Sequence, residues 1–400
     1  MKIALFTETY FPSVNGVAAH VKTLKNGLEK LGNEVLIVTA DKHCKHHYID
    51  DDNILHCPST EVKRLYGFGA APPFSYKRMR LITKFDPDVI HIHQEFGIGL
   101  SGILAAKKLK IPLVYTLHTV YDQYIYYIAP PPFIRAATKM SHHYERFIAS
   151  HASELTGPSQ KCEEYFKKIG VRKDVNLIPN AIDLEMFDPA RVKQSDKAEF
   201  LNKYGIPIGK LLVCFVGRLG KEKSVDVLLE YWAETITRND DMHLVIIGDG
   251  PDKRSLELLA ENLNIKDMVT FTGMIKHDAM PVCFAACDVY ATASLSEMNS
   301  ISMLEGMASG LPVLQRYDEM NASQIEVGVN GYLFHTAQEM AGRLRDLKAL
   351  SPEKRAGFEE RVIGSVVSRG VNELAEYMLG VYKKALSEKP DIGVKRRLRL

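Results

Sequence analysis

The protein has 400 residues, which suits two or three domains with a large buried core. Hydrophobic residues make up 46% and charged residues 25%, as in ordinary globular proteins, and a net charge of +2 argues against a polycation that binds nucleic acid. No stretch reaches the ~18 uninterrupted apolar residues of a membrane-spanning helix. Glu8 interrupts the apolar start, unlike in a signal peptide, so we expect a cytoplasmic protein. The six cysteines form no Cys-x-x-Cys pair, which predicts reduced, mostly buried thiols.

The first half alternates predicted strands and helices. The apolar run KIALFTETY is followed by the glycine-containing loop FPSVNGV, an amphipathic helix at AAHVKTLKNGLEKLG and a second strand at EVLIVTA. The strands DVIHIHQ and PLVYTLHT flank the helix GIGLSGILAAKKLKI. This succession is typical of βαβ units with parallel strands.

The same pattern begins again near residue 210. Strands are predicted at KLLVCFVGRL, MHLVIIGDG, MVTFTG, VYATAS and PVLQRY, with helices between them, and PNAIDLEMFDPAR (179–191) resembles a linker. Wholly apolar strands indicate parallel sheets covered on both faces.

The predicted architecture is therefore α/β, with two Rossmann-like domains facing each other across a cleft that is the default active site. We place the N-terminal domain at 1–190 and the C-terminal domain at 191–371. A C-terminal helix at about 372–388 is expected to pack back on the first domain, ahead of a basic tail at 389–400.

Six landmarks occur in the order typical of one family: FPSVNGV, LHTVYDQY, PNAIDLEMF, VGRLGKEKS, SEMNSISMLEGMASGLPVL and NGYLF. With these motifs the chain resembles the retaining, nucleotide-sugar-using glycosyltransferases of family 4, which have the GT-B fold. The resemblance covers about residues 1–385. The stretch EFGIGLSGILAAKKLKIPLVYTLHTVYDQYIYYI is most similar to the bacterial diacylglycerol glucosyltransferases.

That resemblance implies a hexosyltransferase that moves glucose from UDP-glucose to the 3-hydroxyl of diacylglycerol or a related glycolipid. It would need no cofactor or metal. Its partners would be a nucleotide sugar, a lipid acceptor and an anionic membrane surface, without nucleic acid, at the inner face of the cell membrane. Two alternatives stay open: a transferase for a soluble or polyprenyl-linked glycan acceptor, and a catalytically silent GT-B scaffold.

Two cations follow the strand LLVCFVG at the start of the second domain. No Asp-x-Asp stands at a strand end for a metal, whereas Arg218 offers a planar fork for phosphate oxygens and Lys223 a compact charge. The resemblance implies that both hold the donor diphosphate, beside Gly217. Gly16, in the first βα loop, would let backbone approach a phosphate, although Asn15 replaces a second glycine common in the family.

The resemblance also supplies roles for acidic and polar residues. It places Glu297 on hydroxyls of the donor sugar, Glu305 on the ribose and His118 beside the transferred sugar. Asn299 and Ser300 replace a family glycine and are expected to cap a helix and narrow the sugar pocket. The remaining expected substrate-binding residues are Tyr121, Tyr124, Asn180 and Ile301.

Double displacement needs a carboxylate nucleophile near the anomeric carbon, and only Glu297 is an obvious candidate. Since the resemblance assigns Glu297 to sugar hydroxyls, it implies front-face substitution, in which the leaving phosphate accepts the acceptor's proton.

The segments EVKRLYGFGAAPPFSYKRMRLITKF (61–85) and PPPFIRAATKMSHHYERFIASHA (130–152) mix basic and aromatic residues, and the tail KRRLRL adds positive charge. Such surfaces bind anionic membranes; the alternative is a solvated charged face. We expect Lys77, Arg78 and Arg80 to contribute. The histidine-rich KHCKHHY (42–48) lacks a second cluster that would complete a metal site and predicts a polar loop.

Overall fold

The computed structural model describes residues 1–11, 15–62, 68–120, 122, 125, 129–319 and 324–387. Their contacts divide the chain into two compact units, Met1–Pro179 together with the chain from Asn372 on, and Asn180–Val371. Each unit is built on one large, mainly parallel sheet.

The first unit contains an eight-stranded sheet in the order β10-β9-β8-β7-β1-β2-β4-β3, in which only β3 is antiparallel to its neighbour. Strands β5 and β6, which follow β4 in the chain, form a separate short antiparallel sheet. The strand order reverses between β1 and β7, because successive strands are added on opposite sides of this pair. In sheets of this kind, ligands bind beyond the carboxyl ends of the strands at such a reversal. The strands are β1 (Lys2–Thr7), β2 (Glu34–Asp41), β3 (Tyr48–Ile49), β4 (Ile54–Pro58), β5 (Thr60–Val62), β6 (Phe68–Ala70), β7 (Val89–Ile92), β8 (Leu113–Thr116), β9 (Glu154–Gly157) and β10 (Val175–Leu177).

The second unit contains a six-stranded, wholly parallel sheet in the order β13-β12-β11-β14-β15-β16. Its order reverses between β11 and β14. Most residues of these strands are buried, as their apolar sequences predict. The strands are β11 (Leu211–Val216), β12 (Met242–Ile247), β13 (Val269–Gly273), β14 (Val289–Thr292), β15 (Val313–Arg316) and β16 (Gly331–Phe334).

Helices connect the strands of both sheets. Their apolar positions recur at helical spacing, as in α1, where Ala18, Val21, Leu24 and Leu28 are all buried. The described α-helices are α1 (Gly16–Lys30), α2 (Tyr76–Phe85), α3 (Gly97–Leu109), α4 (Ile134–His151), α5 (Gln160–Lys168), α6 (Gln194–Tyr204), α7 (Val225–Thr235), α8 (Lys253–Asn262), α9 (Met280–Ala285), α10 (Ile301–Ala308), α11 (Ala337–Lys348), α12 (Pro352–Gly364) and α13 (Val371–Ser387).

The last described helix, α13, belongs to the first unit. The Tyr382 hydroxyl lies 2.8 Å from Nδ1 of His91, and Lys384 Nζ lies 2.9 Å from a carboxylate oxygen of Glu154. The contact boundary falls before Asn180, whereas the sequence placed the boundary at 190. The intervening segment packs with the second unit, because Phe187 is buried in that unit's core.

None of the described helices is long and apolar enough to cross a membrane. All six cysteines are free thiols, and four of them are buried. The predicted α/β organisation with parallel sheets in two domains is confirmed.

Candidate active site

The second unit gathers charged side chains where its strand order reverses. Arg218 and Lys223 lie in the connection that follows β11, and Glu297 lies in the connection between β14 and α10. Since β11 and β14 are adjacent and parallel, their carboxyl ends lie at the same edge of the sheet. The topology therefore brings Glu297 to two cations that precede it by more than seventy positions in the sequence.

Both cations of this cluster contact carboxylates. Lys223 Nζ lies 2.6 Å from Oε1 of Glu297, and each side chain is about one-fifth exposed. Arg218 Nη2 donates to Oε1 of Glu222, whose side chain is almost completely buried. Sequence reasoning did not single out Glu222. Its spacing of four residues from Arg218 was the available signal, although such a pair is common without function.

Hydrogen bonds fix the two connections to each other. The hydroxyls of Ser294 and Ser296 both donate to the Glu222 carbonyl, at 3.1 and 2.7 Å. The connection after β14 is thus held against the connection after β11, which limits how far Glu297 can move from Lys223.

Glu305 lies on α10 and is buried, with His277 as its partner. Nε2 of His277 lies 2.8 Å from Oε1 of Glu305. Burial raises the pKa of Glu305, and the hydrogen bond and charge of His277 partly oppose that rise. His277 is a second residue that sequence reasoning missed, because its partner lies 28 positions away.

Asn299 and Asn180 are both buried in the second unit and are joined by two hydrogen bonds. The Asn180 backbone N–H donates to Oδ1 of Asn299 at 3.0 Å, and Nδ2 of Asn180 donates to the Asn299 carbonyl at 2.7 Å. Nδ2 of Asn299 also donates to Gln324 at 3.1 Å. The Asn299 side chain therefore joins two other segments of the second unit, and its expected effect on the sugar pocket stays a prediction.

Ser300 is the N-cap of α10, as its sequence position indicates. Its hydroxyl accepts a hydrogen bond from the Met303 backbone N–H, and Ile301 is the first helical residue. Ser302 donates to the Val216 carbonyl at 3.0 Å, which joins the start of α10 to the end of β11.

Gly217 lies directly after β11, close to the connection that follows β12. A Cβ on Gly248 would meet the Gly217 carbonyl oxygen at 1.9 Å, and Gly248 has a φ of +146°. Only glycine fits at position 248, because any side chain there would collide with the backbone of Gly217, the residue before Arg218.

In the first unit, Gly16 begins α1 and Asn15 is its N-cap. Oδ1 of Asn15 accepts from the Ala18 N–H at 2.9 Å, and Nδ2 of Asn15 donates to Thr9 at 3.1 Å. The residue that departs from the family pattern thus stabilises the helix start, while Gly16 is exposed.

His118 follows β8 and is only partly exposed. Its Nε2 lies 3.1 Å from Nδ1 of His93, which follows the adjacent strand β7. Burial lowers the pKa of His118 well below its usual value, and the neighbouring histidines His20 and His91 lower it further. His118 is therefore a neutral imidazole at pH 7.

The structure places His118 and Gly16 in the first unit, and the other described site residues in the second. The predicted substrate-binding residues Tyr121 and Tyr124 lie outside the described residues.

One residue of the basic stretch 61–85 is buried and not exposed as expected. Arg78, expected on a membrane-facing surface, is fully buried, and its guanidinium donates to the Pro72 carbonyl. Helical periodicity explains this, because Arg78 shares the inward face of α2 with Met79 and Ile82. Lys63 and Arg64, and the tail KRRLRL, lie outside the described residues.

The opposite face of α2 is exposed and basic. Tyr76 is 74% exposed and Phe74 61%. The exposed basic residues of this face are Lys77, Arg80 and Lys84.

Comparison with known families matches both halves of the chain. Residues 14–186 match "Glycosyltransferase Family 4", and residues 196–363 match "Glycosyl transferases group 1". The alpha-monoglucosyldiacylglycerol synthase of Streptococcus pneumoniae (strain ATCC BAA-255 / R6) is 32% identical over 353 residues, which are 88% of this chain and 79% of that protein. A GDP-mannose-dependent alpha-mannosyltransferase of Mycolicibacterium smegmatis is 28% identical over 321 residues, 78% of this chain and 79% of the relative.

Among solved structures, Anabaena Alr3699/HepE in complex with UDP and glucose superposes with a TM-score of 0.73 and 19% identity, covering 96% of this chain and all of that one. Identity this low shows the fold alone, and it is the GT-B fold. Together with the family matches and the streptococcal relative, it establishes that the chain belongs to glycosyltransferase family 4.

Proposed function

We propose that this glycosyltransferase moves glucose from UDP-glucose to the 3-hydroxyl of diacylglycerol or a related glycolipid, with retention of configuration. The observation that carries the proposal is the cluster of Arg218, Lys223 and Glu297 at the strand reversal of the second unit. It supplies cations for a diphosphate and a carboxylate for sugar hydroxyls at one sheet edge. The streptococcal relative, a monoglucosyldiacylglycerol synthase, supports this choice of donor and acceptor.

Breaking the bond to the anomeric carbon leaves negative charge on the diphosphate. Fixed cations stabilise that charge without the reorganisation that water would need. Arg218 provides two parallel N–H donors, and Lys223 provides a point charge. In this proposal they perform the task that a metal ion performs in other transferases.

The carboxylates serve hydroxyl groups. Glu297 lies beside Lys223, at 2.6 Å, and accepts hydrogen bonds from the transferred sugar near the leaving group. Glu305 accepts from the ribose, and His277 orients the carboxylate through the 2.8 Å hydrogen bond.

Glu297 is a poor nucleophile when it is held by Lys223 and by sugar hydroxyls. We therefore propose front-face substitution, in which the acceptor hydroxyl attacks from the side that the diphosphate leaves and gives its proton to the departing phosphate oxygen. The wild-type protein incubated with UDP-glucose and no acceptor should then accumulate no covalent glycosyl-enzyme in a mass spectrum of the intact protein. A mass increase of one hexose would contradict this mechanism.

A lipid acceptor requires access to a membrane. The exposed face of α2 carries Lys77, Arg80 and Lys84 at spacings of three and four, so the three charges share one side of the helix. Phe74 and Tyr76 stand exposed beside them and can insert at the interface. We propose that this face holds the enzyme to the anionic inner surface of the cell membrane.

The experiment for the function offers the purified full chain UDP-glucose, UDP-galactose and GDP-mannose, each with and without diacylglycerol in phosphatidylglycerol vesicles. We expect a glycosyl-diacylglycerol from UDP-glucose, with an α-linkage by proton NMR. Donor hydrolysis or transfer to a soluble glycan without lipid product would contradict the lipid acceptor. A product from GDP-mannose alone would contradict the donor, and absence of both turnover and UDP binding would support a silent scaffold.

The membrane face has its own test. Replacing Lys77, Arg80 and Lys84 together by Ser should weaken sedimentation with anionic vesicles roughly 100-fold, because each basic residue contributes about 1 kcal/mol. The matched control replaces three exposed cations of the second unit, Lys193, Lys203 and Arg254, and should sediment normally. Equal loss in both variants would contradict a specific membrane face.

A further inference from the structure

The first unit contains a cluster of imidazoles at the carboxyl edge of its sheet. His20 lies on α1, His93 follows β7 and His118 follows β8, so three neighbouring strands and their connections converge. Each histidine offers one ring nitrogen, and these three nitrogens lie within 4.8 Å of one another. Within the described residues this is the group of potential metal ligands with such spacing.

A fourth histidine, His91, packs against this cluster with its ring tilted by 39° from that of His93, but it has another role. Its ring centroid lies 3.9 Å from that of His93. Its Nδ1 lies 2.8 Å from the Tyr382 hydroxyl and its Nε2 lies 2.6 Å from Oγ1 of Thr116. Both ring nitrogens of His91 thus have hydrogen-bond partners, so His91 packs against the His93 ring and is not itself a candidate metal ligand.

Burial prepares the three residues as ligands. His93 is fully buried and His20 is 3% exposed. Burial lowers the pKa of His93 well below its usual value, with further lowering by the adjacent imidazoles, so its ring is neutral at pH 7, the form that binds metals.

We propose that His20, His93 and His118 form a binding site for one divalent transition-metal ion of the zinc type. Three neutral imidazoles are a preferred donor set for Zn²⁺. A tetrahedral site with Zn–N near 2.0 Å has ligand nitrogens about 3.3 Å apart. Nδ1 of His93 and Nε2 of His118 already lie close to this spacing, at 3.1 Å, and the partly exposed His118 provides the path of entry.

Metal binding here has a consequence for the reaction, and this step rests on the proposed function. His118 is the residue placed beside the transferred sugar, so an ion that coordinates its Nε2 removes that side chain from the substrate. The site is therefore inhibitory: the transferase works metal-free, and zinc-type ions stop it reversibly.

The test measures metal binding to the full chain, by titration with Zn²⁺ in a calorimeter and by the visible absorption of tetrahedral Co²⁺. We expect one tight equivalent. His20→Gln and His93→Gln should each weaken it by about 100-fold, as loss of a ligand costs at least as much as loss of a supporting group. The control His46→Gln changes the exposed histidine-rich loop and should leave the tight equivalent intact.

Circular dichroism and UDP binding of each variant report whether it is folded. Two ligand substitutions guard against one that misfolds. A wild-type chain without a tight equivalent, or variants that bind as tightly as wild type, would overturn the site. Loss of the equivalent in His46→Gln would do the same.

Activity gives a separate outcome. Stoichiometric Zn²⁺ should abolish glycolipid formation, and a chelator should restore it. Full turnover by the zinc-loaded enzyme would overturn the inhibitory role. A chain that binds zinc through His20 and His93 but forms no glycolipid under any condition supports the metal site and contradicts the proposed function.

Discussion

The two units hold polar groups at the carboxyl edges of their sheets by opposite means. In the first unit, burial lowers the pKa of His91, His93 and His118, so these groups are uncharged at neutral pH. In the second unit, Lys223 and Glu297 form an ion pair at 2.6 Å and stay partly exposed. Deep burial favours the neutral form, whereas partial exposure with an opposite charge favours the ionised one.

This difference fits two tasks. Neutral imidazoles suit the proposed metal site, while charged side chains suit the proposed diphosphate site. Burial also favours the neutral form of an acid in the first unit, because it raises the pKa of Glu8 to about 8. This rise occurs although the Glu8 carboxylate accepts hydrogen bonds from the N–H groups of Ile98 and Gly99, which lower the pKa. Four substitutions, from the largest expected effect to the smallest, test the contrast.

Lys223→Ala should have the largest effect, since it removes a charge from the proposed diphosphate site and leaves Glu297 without this cation. We expect kcat to fall by about 10²–10³-fold, as for loss of one transition-state donor. Initial rates with UDP-glucose and diacylglycerol measure it. The control Arg238→Ala removes an exposed cation that precedes β12, at the opposite sheet edge, and should retain activity. Equal losses would show that the cluster has no special role.

Glu8→Gln tests neutralisation by burial. The folded protein keeps the Glu8 proton up to a pKa of about 8, whereas the unfolded chain releases it near 4.5. The folded state thus binds more protons between these values, and wild-type stability falls as pH rises. Relative to wild type, the variant should gain about 1.4 kcal/mol of unfolding free energy per pH unit from pH 5 to 7.5.

Urea denaturation at several pH values measures the Glu8 effect. The exposed Glu34→Gln serves as control and should show no such gain. Wild-type and Glu8→Gln stabilities that run parallel with pH would mean that Glu8 is ionised in the folded protein.

Asn299→Ala tests whether hydrogen bonds between uncharged side chains and backbone also stabilise the second unit. The substitution leaves the buried Asn180 N–H without its acceptor and should cost about 2 kcal/mol of unfolding free energy. Urea denaturation with Asn202→Ala, an exposed position, as control gives the value. A loss confined to activity, with unchanged stability, would indicate that Asn299 faces substrate after all.

Ser300→Ala should have the smallest effect. It removes the N-cap of α10 and should cost about 1 kcal/mol. Thermal unfolding, compared with the exposed Ser195→Ala, measures the change. No shift in melting temperature would contradict the capping role.

Some of the site could be predicted because its signals are local. The apolar strand before Arg218 and the serine before α10 determine, by sequence neighbours alone, where a strand ends and a helix begins. Arg78 shows the limit: the stretch is basic, but the helix period turns this one residue inward, where it is fully buried. Composition alone does not determine which side of a helix faces the core.

The partners of functional residues were beyond prediction for a related reason. His277 meets Glu305 across 28 positions, and His20 meets His93 and His118 across still longer separations. Hydrophobic periodicity determines strands and helices, so the sequence by itself defined an α/β protein with a charged loop after β11. Only the tertiary structure decided which charges pair and which imidazoles cluster, because strand order brings distant connections to one sheet edge and burial then determines their ionisation.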